Sequence, residues 1–284
     1  MSKRKQVSHD DDKSDSDVSL VNVDFDFFDP NPDVDYHAIK RLLGQLFQRD
    51  ADLFPLHDLT ELILSQPEVG STIKTDGKES DPYALLTVLN MHVHQNNPAM
   101  KALAEYILDK AKAMPALHAD LVSIFAQTSK HVGLIICERL INMPVQVIPP
   151  MYRMLIEEIE RASAEKRPFD FSHYIVISRT YHLTPDEEKY VSANTQHKQK
   201  SKKKRTSSTS AEATRPEDGI YSFHPEDDVI IQFASHVLDY CLTKTPTEPR
   251  NAESFGLDTR GRIMLVPHVQ LPPLSYRMSE VYAP

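Results

Sequence analysis

The sequence contains no tryptophan, only two cysteines and only seven glycines among 284 residues, and each scarcity closes a route to function. Two thiols, Cys137 and Cys241, make neither a disulfide framework nor a zinc cage. Both lie among apolar residues and are expected to be buried core cysteines in a reducing compartment. Few glycines leave little room for phosphate-cradling loops: Gly77-Lys78 lacks the upstream glycine of a P-loop, and neither GxGxxG nor GxSxG occurs. No stretch approaches the roughly 20 apolar residues that a membrane-spanning helix needs. The start, "MSKRKQVSHDDDKSDSD", has no apolar core behind its cations, so it does not read as a secretory signal. The chain is expected in the cytosol or nucleus.

What is present is a 40% hydrophobic fraction, enough for one large domain, and a net charge of −9. That charge is unevenly spread. Residues 1–20 hold four cations against five aspartates, residues 186–215 hold eight cations against four acids, and the rest of the chain carries −12. Such a body repels nucleic-acid phosphate and attracts basic partners, or else simply keeps the protein soluble.

Residues 1–19 are Ser/Asp-rich and nearly free of apolar groups, which predicts a disordered tail; Ser14 and Ser16 stand in the acidic setting that acidophilic kinases favour. "LVNVDFDF" alternates apolar and acidic residues with the period of a strand. Asn31-Pro32-Asp33 supplies a cap and a first-turn proline, and Ile39, Leu42, Leu43, Leu46 and Phe47 share one helical stripe. Another helix is expected over 57–65. Strands follow in "STIKTD" and "ALLTVLNM", then helices around Met100–Leu108 and Leu117–Phe125. The run "VGLIIC" reads as a strand buried on both faces, followed by a helix through Met154, Leu155 and Ile159 and a strand in "HYIVIS". Residues 184–217 have almost no apolar content and read as a disordered basic insertion. "IQFASHVLDY" and "GRIMLVPHV" read as late strands. No internal repeat is found. The order β-α-α-β-β-α-α-β-α-β-insert-β-β predicts one α/β domain, residues 20–183 and 218–284, with a mixed central sheet flanked by helices. This arrangement resembles the GNAT acetyltransferase fold.

A cofactor turn of that fold needs [Q/R]-x-x-G-x-[G/A] after a strand, so that backbone N–H groups can hold a pyrophosphate. The nearest match, Arg41-Leu42-Leu43-Gly44-Gln45-Leu46, lies inside a predicted helix and ends in Leu. No cofactor site is expected. His92 and His94 are placed two apart on a predicted strand but lack a third ligand, so no metal site is expected either. The Asp-x-Asp pairs Asp24/Asp26 and Asp33/Asp35 fit strand alternation and a first helical turn as well as they fit metal binding. The run "KQKSKKKR", with Lys198, Lys200, Lys202, Lys203, Lys204 and Arg205, has no aromatics to stack bases. It fits a nuclear-import signal, or a solvated charged loop, better than nucleic-acid readout; Lys3-Arg4-Lys5 is a second such cluster.

The stretch "ERLINMPVQVIPPMY" at 138–152 carries no chemistry of its own, but it resembles the signature of the BCCIP family. "VNVDFDFF", "DYHAIKRLL", "TIKTDGKESDPYALL", "YIVISRTY" and "FHPEDD" agree with it in one order, from Val21 to about Tyr240; the Pro-rich end "LPPLSYRMSEVYAP" does not. The resemblance implies a nuclear protein, shuttling to the cytoplasm, with an acetyltransferase-like fold that has lost its cofactor site and has no catalytic residues. It implies an escort of a basic large-subunit ribosomal protein that also takes part in nuclear export through transport receptors, with no membrane or direct nucleic-acid role. A divergent acetyltransferase is the alternative, and a scaffold for cell-cycle or repair proteins is a third reading. The expected partner surface is the acidic set Asp24, Asp26, Asp29, Asp33 and Asp35. Within 138–155, Ile141, Val145, Val147 and Ile148 are expected to pack, and two readings stand for Met143, Pro144, Met151 and Tyr152: core packing, which is favoured, or a stiff apolar contact surface.

Overall fold

The computed structural model describes residues 24–185, 187–188, 216, 218–244 and 258–282. The expected tail, Ser14, Ser16 and the basic run 198–205 lie outside the described residues.

The described residues build one mixed sheet between two helical layers. Strands β1 (Asp26–Phe28), β2 (Gly70–Lys74), β3 (Ala84–Asn90) and β4 (His131–Arg139) form an antiparallel meander. Strand β5 (Phe171–His182) then runs parallel to β4, after a right-sized crossover through a helix. Strands β6 (Ile220–Ser222), β7 (His236–Cys241) and β8 (Asp258–Pro267) complete the order β1-β2-β3-β4-β5-β8-β7, with β6 paired to the far end of β5. The mixed α/β expectation is met, and β1 and β7 are the outer strands.

One helical layer consists of α1 (Tyr36–Phe47), α2 (Leu56–Leu64), α3 (Pro98–Ala111) and α4 (Pro115–Ala126). The stripe Ile39, Leu42, Leu43 and Leu46 of α1 packs there against Leu85, Leu134, Ile136, Ile175 and Ile263 of the sheet. The other layer consists of α5 (Ile148–Ala164), α6 (Asp227–Phe233) and α7 (Leu271–Tyr282). Met151, Tyr152, Leu155 and Ile159 of α5 meet Leu86, Val88, Ile135 and Val176 on that side. Period-two alternation thus sends neighbours such as Leu85 and Leu86 into opposite cores, which is why the central strands read as continuous apolar runs.

Local chemistry sets several boundaries. Helix α3 begins where the Asn97 side chain accepts from the backbone N–H groups of Ala99 and Met100, with Pro98 in the first turn. Asn31 does not start α1: its carbonyl accepts from Val34 and Asp35 in a separate turn, and the helix begins at Tyr36. "IQF" belongs to α6 rather than to a strand, because Asp227 and Asp228 open a short helix that buries Val229 and Ile230. Helix α7 forms despite Pro272 and Pro273, which stand in its first turn where no intrahelical N–H is required. Cys137 is half-buried, its thiol pushed up first by burial and then by the Glu226 carboxylate, whereas Cys241 is exposed, contrary to expectation.

Candidate functional site

The parallel pair is the sheet's irregular place. Strands β4 and β5 are in register only from His131 to Ile135 and from Phe171 to Val176. Beyond that, β4 stays with β3 as far as Arg139, and β5 stays with β8 as far as His182. The gap is filled by a strap made of β6 and residues 223–226. Ser222 pairs with Thr180, and the Phe223 N–H donates to the Arg179 carbonyl at 3.0 Å, taking the edge of β5 that β4 has left.

The strap carries charge into the sheet. Arg139 makes a two-point ion pair with Glu226, one contact at 2.9 Å, and both side chains are buried. Arg179 donates through Nε (2.8 Å) and Nη2 (3.0 Å) to Glu138, and its guanidinium lies 4.2 Å from the Phe223 ring centroid. Glu138 also meets His224 Nε2 at 2.9 Å and accepts from Gln45 Nε2 of α1 at 2.9 Å. Burial alone would raise the Glu138 pKa, but His224 and Arg179 hold it below the usual carboxylate range. Below them, Ser178 Oγ donates to Asp227 at 2.5 Å. The cavity left among Cys137, Tyr152, Ser178, His224 and Asp227 is about 10 Å³, room for no more than a water.

Asp227 has no full counter-ion. Burial, then Glu226, pushes its pKa up to about 7 from an ordinary 3.8. The folded chain therefore holds this proton over a range where the unfolded chain does not. The group's stabilising contribution is complete below the unfolded pKa and is lost as pH rises through the folded value. Asp227→Asn should flatten the fall in thermal stability between about pH 4 and 7, and the variant should be the more stable chain at pH 8. Equal pH slopes in the two chains would refute this.

The other candidates separate. Asp24, Asp26, Asp29 and Asp33 are exposed around β1. Asp35 does not join them: it is fully buried, 2.6 Å from an equally buried Lys74 Nζ, and also accepts from the Asn31 N–H. The stretch 138–155 also departs from the surface reading. Met143, Met151 and Tyr152 are 7%, 0% and 1% exposed and pack in the α5 core, Pro144 is half-buried, and Ile141, expected to pack, is 81% exposed. The stretch makes a turn and the proline-bearing first turn of α5. His92 is not on a strand, since β3 ends at Asn90; its Nδ1 accepts from the Val132 N–H at 3.1 Å and its ring stacks on His131. Among the described residues no group of three His, Cys, Asp or Glu side chains could hold a metal. The Arg41–Leu46 segment lies within α1, as expected. An apolar hollow of about 220 Å³ between α3 and α4, floored by Met91, Met100, Leu108 and Phe125, falls short of the roughly 300 Å³ at which ligand pockets begin.

Sequence reasoning missed Glu138, Arg139, Arg179, His224 and Glu226. The one usable signal was three charged residues, Glu138, Arg139 and Arg179, at the ends of otherwise apolar strand runs.

The fold defines the class: a single mixed α/β domain, its central sheet flanked by helices and the gap between its parallel strands closed by its own strap. The BCCIP family model matches residues 20–230, and the chain belongs to that family. Similar proteins include "Protein bcp1" of Aspergillus fumigatus, 43% identical over 90% of this chain and 86% of that one. "Protein bcp1" of Schizosaccharomyces pombe is 40% identical over 94% and 92%. The crystal structure of BCP1 from Saccharomyces cerevisiae is similar with a TM-score of 0.63 at 25% identity, covering 96% of both chains.

Proposed function

We propose that this protein is a non-enzymatic nuclear escort that shields a basic client, a large-subunit ribosomal protein, during ribosome biogenesis, and that it also takes part in nuclear export of cargo through transport receptors. The observation that carries the reading is the distribution of charge. The charges of the strap are matched within the molecule, Glu138 with Arg179 and Glu226 with Arg139, while Asp24, Asp26, Asp29 and Asp33 are left facing solvent on a body of −12. A field of that sign speeds the approach of a cationic protein and is screened beyond about 8 Å at physiological ionic strength.

The resemblance to a GNAT acetyltransferase belongs to this proposal, with the gap between the parallel strands as the place a cofactor arm would need. The strap occupies that gap, which favours a binding protein over the rival reading of a divergent acetyltransferase. Entry to the nucleus is assigned to Lys198, Lys200, Lys202, Lys203, Lys204 and Arg205.

The test is recovery of partners from nuclear extract at rising salt. The expected result is a basic ribosomal protein, retained at moderate salt and released at high salt. Recovery of only acidic repair or cell-cycle proteins would favour the scaffold reading instead. Micromolar binding of acetyl-CoA in calorimetry would overturn the non-enzymatic one.

A further inference from the structure

Strand β1 is an outer strand, bonded only to β2 through the pairs Asp26–Lys74, Phe27–Ile73 and Phe28–Thr72. Among the described residues no strand pairs with its other edge. A strand with one neighbour has outward-facing N–H and C=O groups free to template another strand.

The carboxylates around this edge stand on both faces of the sheet. Phe25 and Phe27 pack against the α5 core, so alternation turns Asp24 and Asp26 to the α1 side. Asp29, just past the strand, lies on the α5 side beside Glu158. Glu158 is an independent sign of missing positive charge. It is 8% exposed and accepts from the Gly70 N–H at 2.8 Å, yet no cation lies within ion-pair distance of it among the described residues. Burial, and then Asp29 and Glu157, raises its pKa, with Gly70 and Arg161 opposing. An edge protected only against aggregation needs charges, but it does not need a buried, unneutralised one behind them.

We infer that the free edge of β1 is the docking rail for the client: an extended Lys/Arg-rich segment adds outside β1 as a further strand, its backbone pairing with residues 24–28 and its cations meeting Asp24 and Asp26 on one face and Asp29 and Glu158 on the other. This rests on the escort reading and specifies its surface. It also specifies the ligand, a segment basic on both faces rather than an amphipathic one. Backbone pairing supplies affinity in such strand addition, and the side chains supply selectivity.

The probe is a short capped peptide of alternating Lys and Arg, titrated against the full chain at low salt. Its control is the same peptide N-methylated at every backbone amide, which keeps every charge but has no N–H to donate to a ladder from either edge. The parent peptide should bind at least about tenfold more tightly than the control, a difference of roughly 1.4 kcal/mol, and should slow amide exchange in residues 24–28. The exposed-site variant Asp24→Asn/Asp26→Asn/Asp29→Asn should lose a similar factor. Equal binding of the two peptides, or no added protection in residues 24–28, would overturn the rail. So would a basic client, recovered from nuclear extract, that binds the triple variant as well as the parent chain, and this outcome would leave the escort reading standing. Failure to recover any basic client would overturn the escort reading itself.

Discussion

Replacing Asp35 by Ala should cost about 3–5 kcal/mol of folding stability, the range seen when one partner of a buried ion pair is removed. Lys74 would be left fully buried with one remaining acceptor at 2.6 Å, the Lys78 carbonyl, and the Phe28 ring 5.9 Å away. The pair joins the approach to α1 with the turn after β2, so its loss should loosen both. Asp35→Leu combined with Lys74→Met should recover most of the deficit, because removing both charges removes the desolvation cost with them. Denaturant unfolding of the single and double variants checks this. A single variant within about 1 kcal/mol of the parent, the worth of an exposed pair, would show that Lys74 reaches water.

The second large effect is expected at Glu138. Glu138→Ala strips Arg179, His224 and Gln45 of a shared acceptor, and at least about 3 kcal/mol should be lost because Arg179 stays buried. Glu138→Gln keeps the shape but not the charge and should fall between the two. The damage should be local first, with amides of residues 220–230 exchanging before those of β3 or β5. Uniform loss of protection would mean that the strap is part of the main cooperative unit rather than a segment held by this cluster.

Much of the architecture was legible because it follows from short-range patterns. The α1 stripe, the helical spacing of Met100 to Leu108 in α3 and the double-sided apolar run of β4 need no knowledge of distant residues. Two kinds of feature did not show. Ile141 is expected to pack but stands 81% exposed in the turn between β4 and α5, whereas Met143, Met151 and Tyr152 take the favoured core reading once α5 docks on the sheet. Asp35 reads as one aspartate among several until Lys74, 39 positions away, is brought against it. The charged cluster is longer-range still: Gln45 reaches Glu138 across 93 positions, and Arg139 reaches Glu226 across 87. "IQF" reads as the start of a strand because Ile231 and Phe233 suit one, until Asp227 and Asp228 ahead of them are seen to open a helix that runs to Phe233.

The strap also imposes an order on biosynthesis. Glu138, Arg139 and Arg179 emerge from the ribosome well before His224 and Glu226, with residues 184–217 translated in between. For that interval β4 and β5 can form, but Arg139 lacks its partner and β5 lacks both β8 and the strap. A nascent chain halted there exposes an open strand edge beside an unneutralised guanidinium, a state prone to wrong pairing. The protein cannot close its own centre until its last quarter has been made. Truncation anywhere before β8 should therefore yield aggregation or degradation rather than a smaller working domain.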